Sequence, residues 1–179
     1  MVKKLVIVLA LIAAAGTAVA EPAKGKGFYL VGAAGESVYD EGSSFGNFGD
    51  DEDRSLHFAA GYKFIRFLSV EARFADMGSF SVPFQDFDIS TRSIHVVGIV
   101  PFGQSGWEFF GNLGIGKVNL DISGGLDVDE SMVAGGFGFR WYPTPKFAIG
   151  IQTDAYVWDE NNDWASGVGA TQLSLQVIF

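Results

Sequence analysis

With 179 residues, 24 of them glycine, 15% aromatic and a formal net charge of −9, the chain is of single-domain size. Its acidity argues against a nucleic-acid partner. It contains no cysteine, which excludes a disulfide framework and a lipid-anchoring thiol. No phosphate loop or metal-ligand spacing is present, so no cofactor is expected.

The chain opens with "MVKKLVIVLALIAAAGTAVA", in which Lys3 and Lys4 precede an apolar run that ends in Ala18-Val19-Ala20. A charged start, an apolar middle and small residues at the close describe a secretory signal peptide cut after Ala20. The expected domains are therefore a signal over 1–20 and one folded domain over 21–179. Beyond Ala20 no apolar run is long enough for a membrane helix. Glycine scattered through the apolar segments argues against helices, since each interior glycine costs about 1 kcal/mol relative to alanine.

Alternation with period two predicts eight strands, the first near 27–36, where small residues blur the two faces. Segment 55–64 sets Leu56, Phe58, Ala60, Tyr62 and Phe64 against His57, Gly61 and Lys63. Segment 67–76 sets Leu68, Val70, Ala72 and Phe74 against Ser69, Glu71 and Arg73. In 89–100, Ile94, Val96 and Val100 oppose Ser93 and His95; in 107–118, Trp107, Phe109, Leu113 and Ile115 oppose Glu108, Asn112 and Gly114. Segment 130–141 sets Val133, Phe137, Phe139 and Trp141 against Ala134, Gly136, Gly138 and Arg140. Segment 147–157 sets Phe147, Ile149, Ile151 and Ala155 against Gly150, Gln152 and Asp154. The last strand, 168–179, alternates Leu173, Leu175, Val177 and Phe179 with Gln172, Ser174 and Gln176.

One face is thus bulky and apolar, and the other is small, glycine-rich and sparsely charged. A soluble sandwich would put a broad, well-hydrated polar face outside. A narrow transmembrane barrel does the reverse, with bulky residues toward lipid and small polar ones in a crowded lumen. Segments of about ten residues suit the hydrocarbon thickness. Ile65-Arg66, 101–106 and 142–146 make short connections, whereas 37–54, 77–88, 119–129 and 158–166 make long ones. The expected fold is all-β: an eight-stranded antiparallel transmembrane up-and-down barrel. Phe28, Tyr62, Phe64, Phe67, Trp107, Trp141, Tyr142, Phe147 and Phe179 gather at the short-turn ends as an expected interfacial girdle.

Of the 21 acids, 17 fall in the four long connections and their margins, and seven in residues 36–53. These acids read either as a solvated surface or as a site for a divalent or otherwise cationic partner. Arg54, Arg92 and Lys117, near the same rim, suit lipid phosphates or ordinary surface contacts. Inside, Glu71, Glu108 and Asp154 are expected to pair with Arg73, Arg140 or Lys63, because an unpaired buried ion costs several kcal/mol. Such a network would plug the lumen; charges hydrated in small cavities are the alternative.

Residues 61–78, "GYKFIRFLSVEARFADMG", resemble the second-to-third-strand hairpin of the OmpA-like eight-stranded outer-membrane barrel family, which includes the OmpX-like proteins. Residues 135–146, "GGFGFRWYPTPK", resemble its sixth strand and turn. The resemblance implies residence in a Gram-negative-type outer membrane, with periplasmic termini and extracellular long loops. It also implies contact with lipid and lipopolysaccharide, a monomeric barrel, and a terminal signal (Leu175, Val177, Phe179) read by the outer-membrane assembly machinery. Glu71 corresponds to the family's inward glutamate. The arginine usual on the seventh strand is replaced by Gln152 and Asp154, with Arg140 the expected substitute, a departure that bears on any gated-pore behaviour. A chain stopping at Phe179 would lack the peptidoglycan-binding domain of longer relatives.

The resulting functional expectation is a non-enzymatic, structural or adhesive membrane barrel whose acidic loops contact an unidentified surface ligand. A narrow pore, a lipid-modifying enzyme and a soluble lipocalin-like barrel are the alternatives. Ser93 and His95 share a face, as a nucleophile and base would, but without an accompanying signature. Deletion of Phe179 should strongly reduce barrel assembled in cell envelopes while leaving the unfolding midpoint of purified, refolded barrel nearly unchanged. Normal envelope levels of the truncated chain would overturn the signal reading.

Overall fold

A computed structural model describes residues 26–40, 52–82, 85–122, 126–160 and 164–179. The expected signal peptide and most of the acidic segment 36–53 lie outside the described residues. Eight strands run in chain order: β1 (Gly27–Asp40), β2 (Glu52–Ile65), β3 (Leu68–Val82), β4 (Gln85–Pro101), β5 (Trp107–Ile122), β6 (Leu126–Thr144), β7 (Phe147–Glu160) and β8 (Trp164–Ile178). Each pairs antiparallel with its sequence neighbours, and β8 returns to β1, closing the barrel. The closing ladder matches Leu30 with Val177 and Gly32 with Leu175, and Phe179 N donates to Phe28 O at 3.0 Å. The terminal residues are therefore the seam itself.

The pairing fixes the barrel's width. A path through paired residues from Leu30 crosses Ala60, Ala72, Ile94, Ile115, Val133, Val157 and Gly167, and returns to β1 at Asp40, ten residues higher. With eight strands, that stagger gives an interior just wide enough for side chains to fill. Leu113 at 72% and Phe58, Phe74 and Leu173 above 60% exposure mark the outer wall as apolar. At the short-turn end, the Phe28 ring lies 4.8 Å from that of Tyr62 in a tilted arrangement, Tyr62 meets Phe64 edge-on at 5.0 Å, and Trp107 lies 6.3 Å from Trp141. Tyr142 does not join that girdle: it is fully buried and points inward. The reason is parity, since outward Trp141 forces its neighbour to the other face.

The strands are longer than the sequence pattern suggests, from 14 to 19 residues. Three of the four long connections are largely strand, with β3–β4 pairing out to Val82–Gln85, β5–β6 to Ile122–Leu126 and β7–β8 to Glu160–Trp164. The alternation inverts where these extensions begin. On β5, outward Leu113 and Ile115 give way to outward Lys117, Asn119 and Asp121, while inward Asn112 gives way to inward Val118 and Leu120. β4 does likewise: outward Val96 and Ile94 are succeeded by Arg92, Ser90 and Asp88, and inward His95 and Ser93 lead to Ile89. Apolar-out becomes polar-out, the pattern of a sheet in water. Inside the extensions, Met77, Ile89, Val118, Leu120, Met132, Tyr156, Trp158 and Val168 form an apolar core against which Tyr39 packs.

The barrel also parts at this end. The β2–β3 ladder stops at Leu56–Asp76 and the β6–β7 ladder at Met132–Trp158, whereas the other ladders continue. Above those rows, β3–β6 form one wall and β7, β8, β1 and β2 the other, with the apolar core between them. Gly78 sets the β2–β3 parting: its φ of +86° belongs to a bulge, and a Cβ there would meet the Asp53 side chain at 2.5 Å. Asp53 Oδ2 accepts from Ser79 N and Oδ1 from Arg54 N, each at 2.6 Å. These two N–H groups hold its carboxyl below the usual carboxylate range.

Lower down, Gly61 makes room for a lumen side chain: a Cβ there would sit 2.3 Å from Tyr29 Cζ. Gly61→Ala should cost about 1–3 kcal/mol, as overpacking does, read by equilibrium urea unfolding in lipid vesicles. Gly32→Ala, whose Cβ would make only a 3.9 Å contact with Phe58, should leave stability nearly unchanged.

Candidate functional site

The distinctive chemistry lies in the lumen, where period-two alternation sends every second side chain. Lys63 on β2, Glu71 and Arg73 on β3, Glu108 on β5, Arg140 on β6 and Asp154 on β7 are all 5% exposed or less. With three acids and three bases, the set is formally neutral. They form two layers rather than one cluster.

The layer near the short turns centres on Glu108. Lys63 Nζ is 3.4 Å from its Oε1, and the Tyr142 hydroxyl donates to its Oε2 at 3.0 Å. Gln176 Nε2 donates to the Tyr142 oxygen at 3.2 Å, and Arg140 donates to Gln176 Oε1. The Arg140 guanidinium also lies 3.9 Å from the centre of the Phe110 ring, a cation–π contact. Phe110 packs with Val97 and Ile99, so this charge rests on an apolar shelf. Among the described residues Arg140 has no carboxylate within ion-pair distance.

The next layer turns on Arg73. Its Nε and Nη2 are each 2.7 Å from Glu71 Oε2, and its Nη1 is 3.1 Å from Asp154 Oδ1. One guanidinium thus joins β3 to β7 across the lumen. Tyr29 OH lies 2.7 Å from Glu71 Oε1 and 2.8 Å from Ser69 Oγ. Asn112 Nδ2 donates to Asp154 Oδ1 and Gln152 Nε2 to Asp154 Oδ2, both at 2.8 Å. Each acid is satisfied by a charge and by neutral donors, the condition under which burying an ion pair is tolerable. A cavity of about 10 Å³ remains beside Glu71, Arg73 and Arg140, room for about one water.

Gln172 and Gln176 lie in the lumen, as the alternation of the last strand predicts, whereas Tyr29 and Tyr142 were not expected there: their only signal is strand parity, blurred on β1 by small residues on both faces. The histidines are likewise interior. Because Asn112 Nδ2 is committed to Asp154, its Oδ1 accepts from His95 Nδ1 at 2.9 Å, which leaves His95 Nε2 to accept from Ser93 Oγ at 2.8 Å. That chain has the order of a nucleophile, base and orienting group. Ser93 is 7% exposed, however, and its oxygen is engaged with His95 inside the lumen. His57 Nδ1 accepts from Gln152 Nε2 at 2.9 Å, while His57 Nε2 has no partner among the described residues.

The bridging role of Arg73 has a measurable consequence. Arg73→Met would leave Glu71 and Asp154 buried without their cation and should cost about 3–5 kcal/mol in urea unfolding. Adding Glu71→Gln and Asp154→Asn to that variant should restore most of the loss. A single variant as stable as the parent would show that the pair is not load-sharing across the lumen.

The architecture is shared with solved membrane barrels. Neisserial surface protein A has a TM-score of 0.73 at 17% identity, covering 87% of this chain and 100% of that one. Ail, the attachment invasion locus protein of Yersinia pestis in complex with the heparin analogue sucrose octasulfate, gives 0.59 at 21%, covering 87% and 99%. The N-terminal barrel of Pseudomonas aeruginosa OprF gives 0.56 at 13%, covering 86% and 98%. At these identities the likeness is one of fold. No curated protein matches the sequence. Residues 6–178 match the family described as "Outer membrane protein beta-barrel domain". With an apolar outer wall, a closed seam and a polar lumen, this chain belongs to that family and is an outer-membrane β-barrel protein.

Proposed function

We propose that the protein is a closed structural barrel that presents its extended end to the cell exterior as an adhesive contact surface. The observation that carries this reading is the filled interior. Two hydrogen-bonded ionic layers occupy the membrane-level lumen, and the apolar core between the parted walls lies above them. Packing of this kind among the described residues favours a plug over a narrow pore. Burial of Ser93 likewise favours a non-enzymatic role.

The remaining assignments complete this reading. The N-terminal signal over 1–20 directs export, and the termini sit at the short-turn, periplasmic end. Leu175, Val177 and Phe179 are offered to the assembly machinery. The barrel acts as a monomer in lipid, and lipopolysaccharide phosphates meet Arg92 and Lys117, which share Asp129 at 2.9 and 3.8 Å just above the apolar band. The extended wall carries Asp76, Asp88, Asp121 and Asp129. Ail is solved with a sulfated heparin analogue; this acidic wall suits a cationic partner instead.

Planar-bilayer recording of the refolded barrel tests the closed reading. The expected trace shows no sustained single-channel current, and Arg73→Met with Lys63→Met should introduce intermittent openings. A large, permanent conductance from the unaltered protein would overturn the proposal.

A further inference from the structure

Asp154 is the hub of the Arg73 layer, and each of the two histidines reaches it through one amide. Its Oδ1 accepts from Asn112 Nδ2, whose own oxygen accepts from His95 Nδ1. Its Oδ2 accepts from Gln152 Nε2, which also donates to His57 Nδ1. We propose that His57 is an acid-operated release for the ionic plug: a proton taken up at Nδ1 breaks the contact with Gln152 and draws Asp154 away from Arg73. The inference rests on the closed-barrel reading, because only a closed lumen has a bridge to release.

Hydrogen bonding separates the two histidines. The Gln152 amide nitrogen carries two hydrogens, one held by Asp154 Oδ2 at 2.8 Å and one by His57 Nδ1 at 2.9 Å, with Gln172 Oε1 farther off at 3.4 Å. His57 Nδ1 therefore acts as an acceptor, and the ring's hydrogen sits on Nε2, which has no partner among the described residues. A proton added at Nδ1 would meet the amide hydrogen head-on. Turning the amide over would satisfy His57 but set Gln152 Oε1 against Asp154 Oδ2, acceptor against acceptor. One contact of Gln152 is lost either way. His95 has an easier answer. Its Nε2 accepts from Ser93 Oγ, and a hydroxyl rotates to accept instead of donate, so charging His95 leaves Asn112 and Asp154 as they are.

Charge gives the release its direction. The ions facing both histidines are Glu71 and Arg73 from β3 and Asp154 from β7, with the neutral amides Gln172 from β8 beside His57 and Asn112 from β5 beside His95. Tyr156 of β7 is the further titratable group set against Arg73 and Asp154. Two carboxylates thus stand against one guanidinium, a formal surplus of one negative charge in this layer. A proton on His57 balances that surplus. Glu71 is already held by Arg73 and by the Tyr29 hydroxyl, so the carboxylate left for a charged His57 is Asp154. In a lumen of low dielectric the new attraction is strong. The aspartate that tied β7 to β3 then turns to β2, and the cross-lumen bridge opens.

Planar-bilayer recording of the refolded barrel at about pH 7.5 and about pH 4.5 brackets the ordinary histidine value of about 6.5. The unaltered protein should be closed at the higher pH, and its open probability should rise reversibly at least about tenfold at the lower. His57→Gln, which stays polar but takes up no proton in this range, should be closed at both. His95→Gln should open as the parent does. Nitrogen NMR of the imidazoles in nanodiscs needs no substitution: His57 Nδ1 should be bare at neutral pH and protonated in the interval where openings appear. Acid openings that persist in H57Q would assign them to carboxylates and overturn the proposal. So would a His57 ring that stays neutral while the barrel opens, or an unaltered protein that never opens in acid. These outcomes leave the closed reading intact, whereas sustained conductance at neutral pH would overturn that reading and this inference with it.

Discussion

Everything in this molecule follows from the need to satisfy every backbone N–H and C=O of a sheet lying in hydrocarbon. An open edge in lipid would leave a row of such groups without partners, each at a cost of several kcal/mol. Pairing β8 with β1 removes the edge, and that closure is carried by residues up to the last in the chain. Once eight strands close with a ten-residue stagger, the interior width is set, and it is too narrow to remain empty. The side chains that fill it must come from the inward parity of each strand, whatever their chemistry.

The membrane then dictates what fills the lumen at each height. Within the apolar band the outer wall takes the bulky residues, so the inward positions are left with small, polar and charged ones. They survive burial because they satisfy one another: Arg73 ties Glu71 to Asp154, and Lys63 with Tyr142 holds Glu108. Above the band, water replaces lipid on the outside and the pattern turns over. Aspartates, lysine and arginine move outward, and methionine, tryptophan and leucine pack within. The same strands thus obey two solvents in succession. The ladders are free to part only in the second regime, because unpaired backbone groups there can bond to water.

Much of this was legible beforehand. The alternation of Leu68, Val70, Ala72 and Phe74 with Ser69, Glu71 and Arg73 located β3 and assigned both its faces, because two-residue parity needs no knowledge of neighbours. The same logic placed Leu173 to Phe179 outside and Gln172 to Gln176 inside. It failed where its assumption of one solvent failed. Residues 119–122 and 126–129 look like parts of an acidic loop if apolar-out is required throughout, and become paired strands once polar-out is allowed. Tyr142 was misplaced for a related reason: its type suits an interface, but parity against Trp141 sends it inward.

By itself, then, the sequence determined the strand number, the all-β class, the faces within the apolar band and the seam, since each depends on local alternation and on the ends of segments. Only the tertiary structure decided which lumen charges meet. Arg73 reaches Asp154 across 81 residues of chain because the barrel's stagger brings β3 and β7 to one height, a number no single strand contains. It also decided where the barrel parts. Gly78, Asp53 and Ser79 come from two strands, and the cleft they frame exists only when those strands stand side by side.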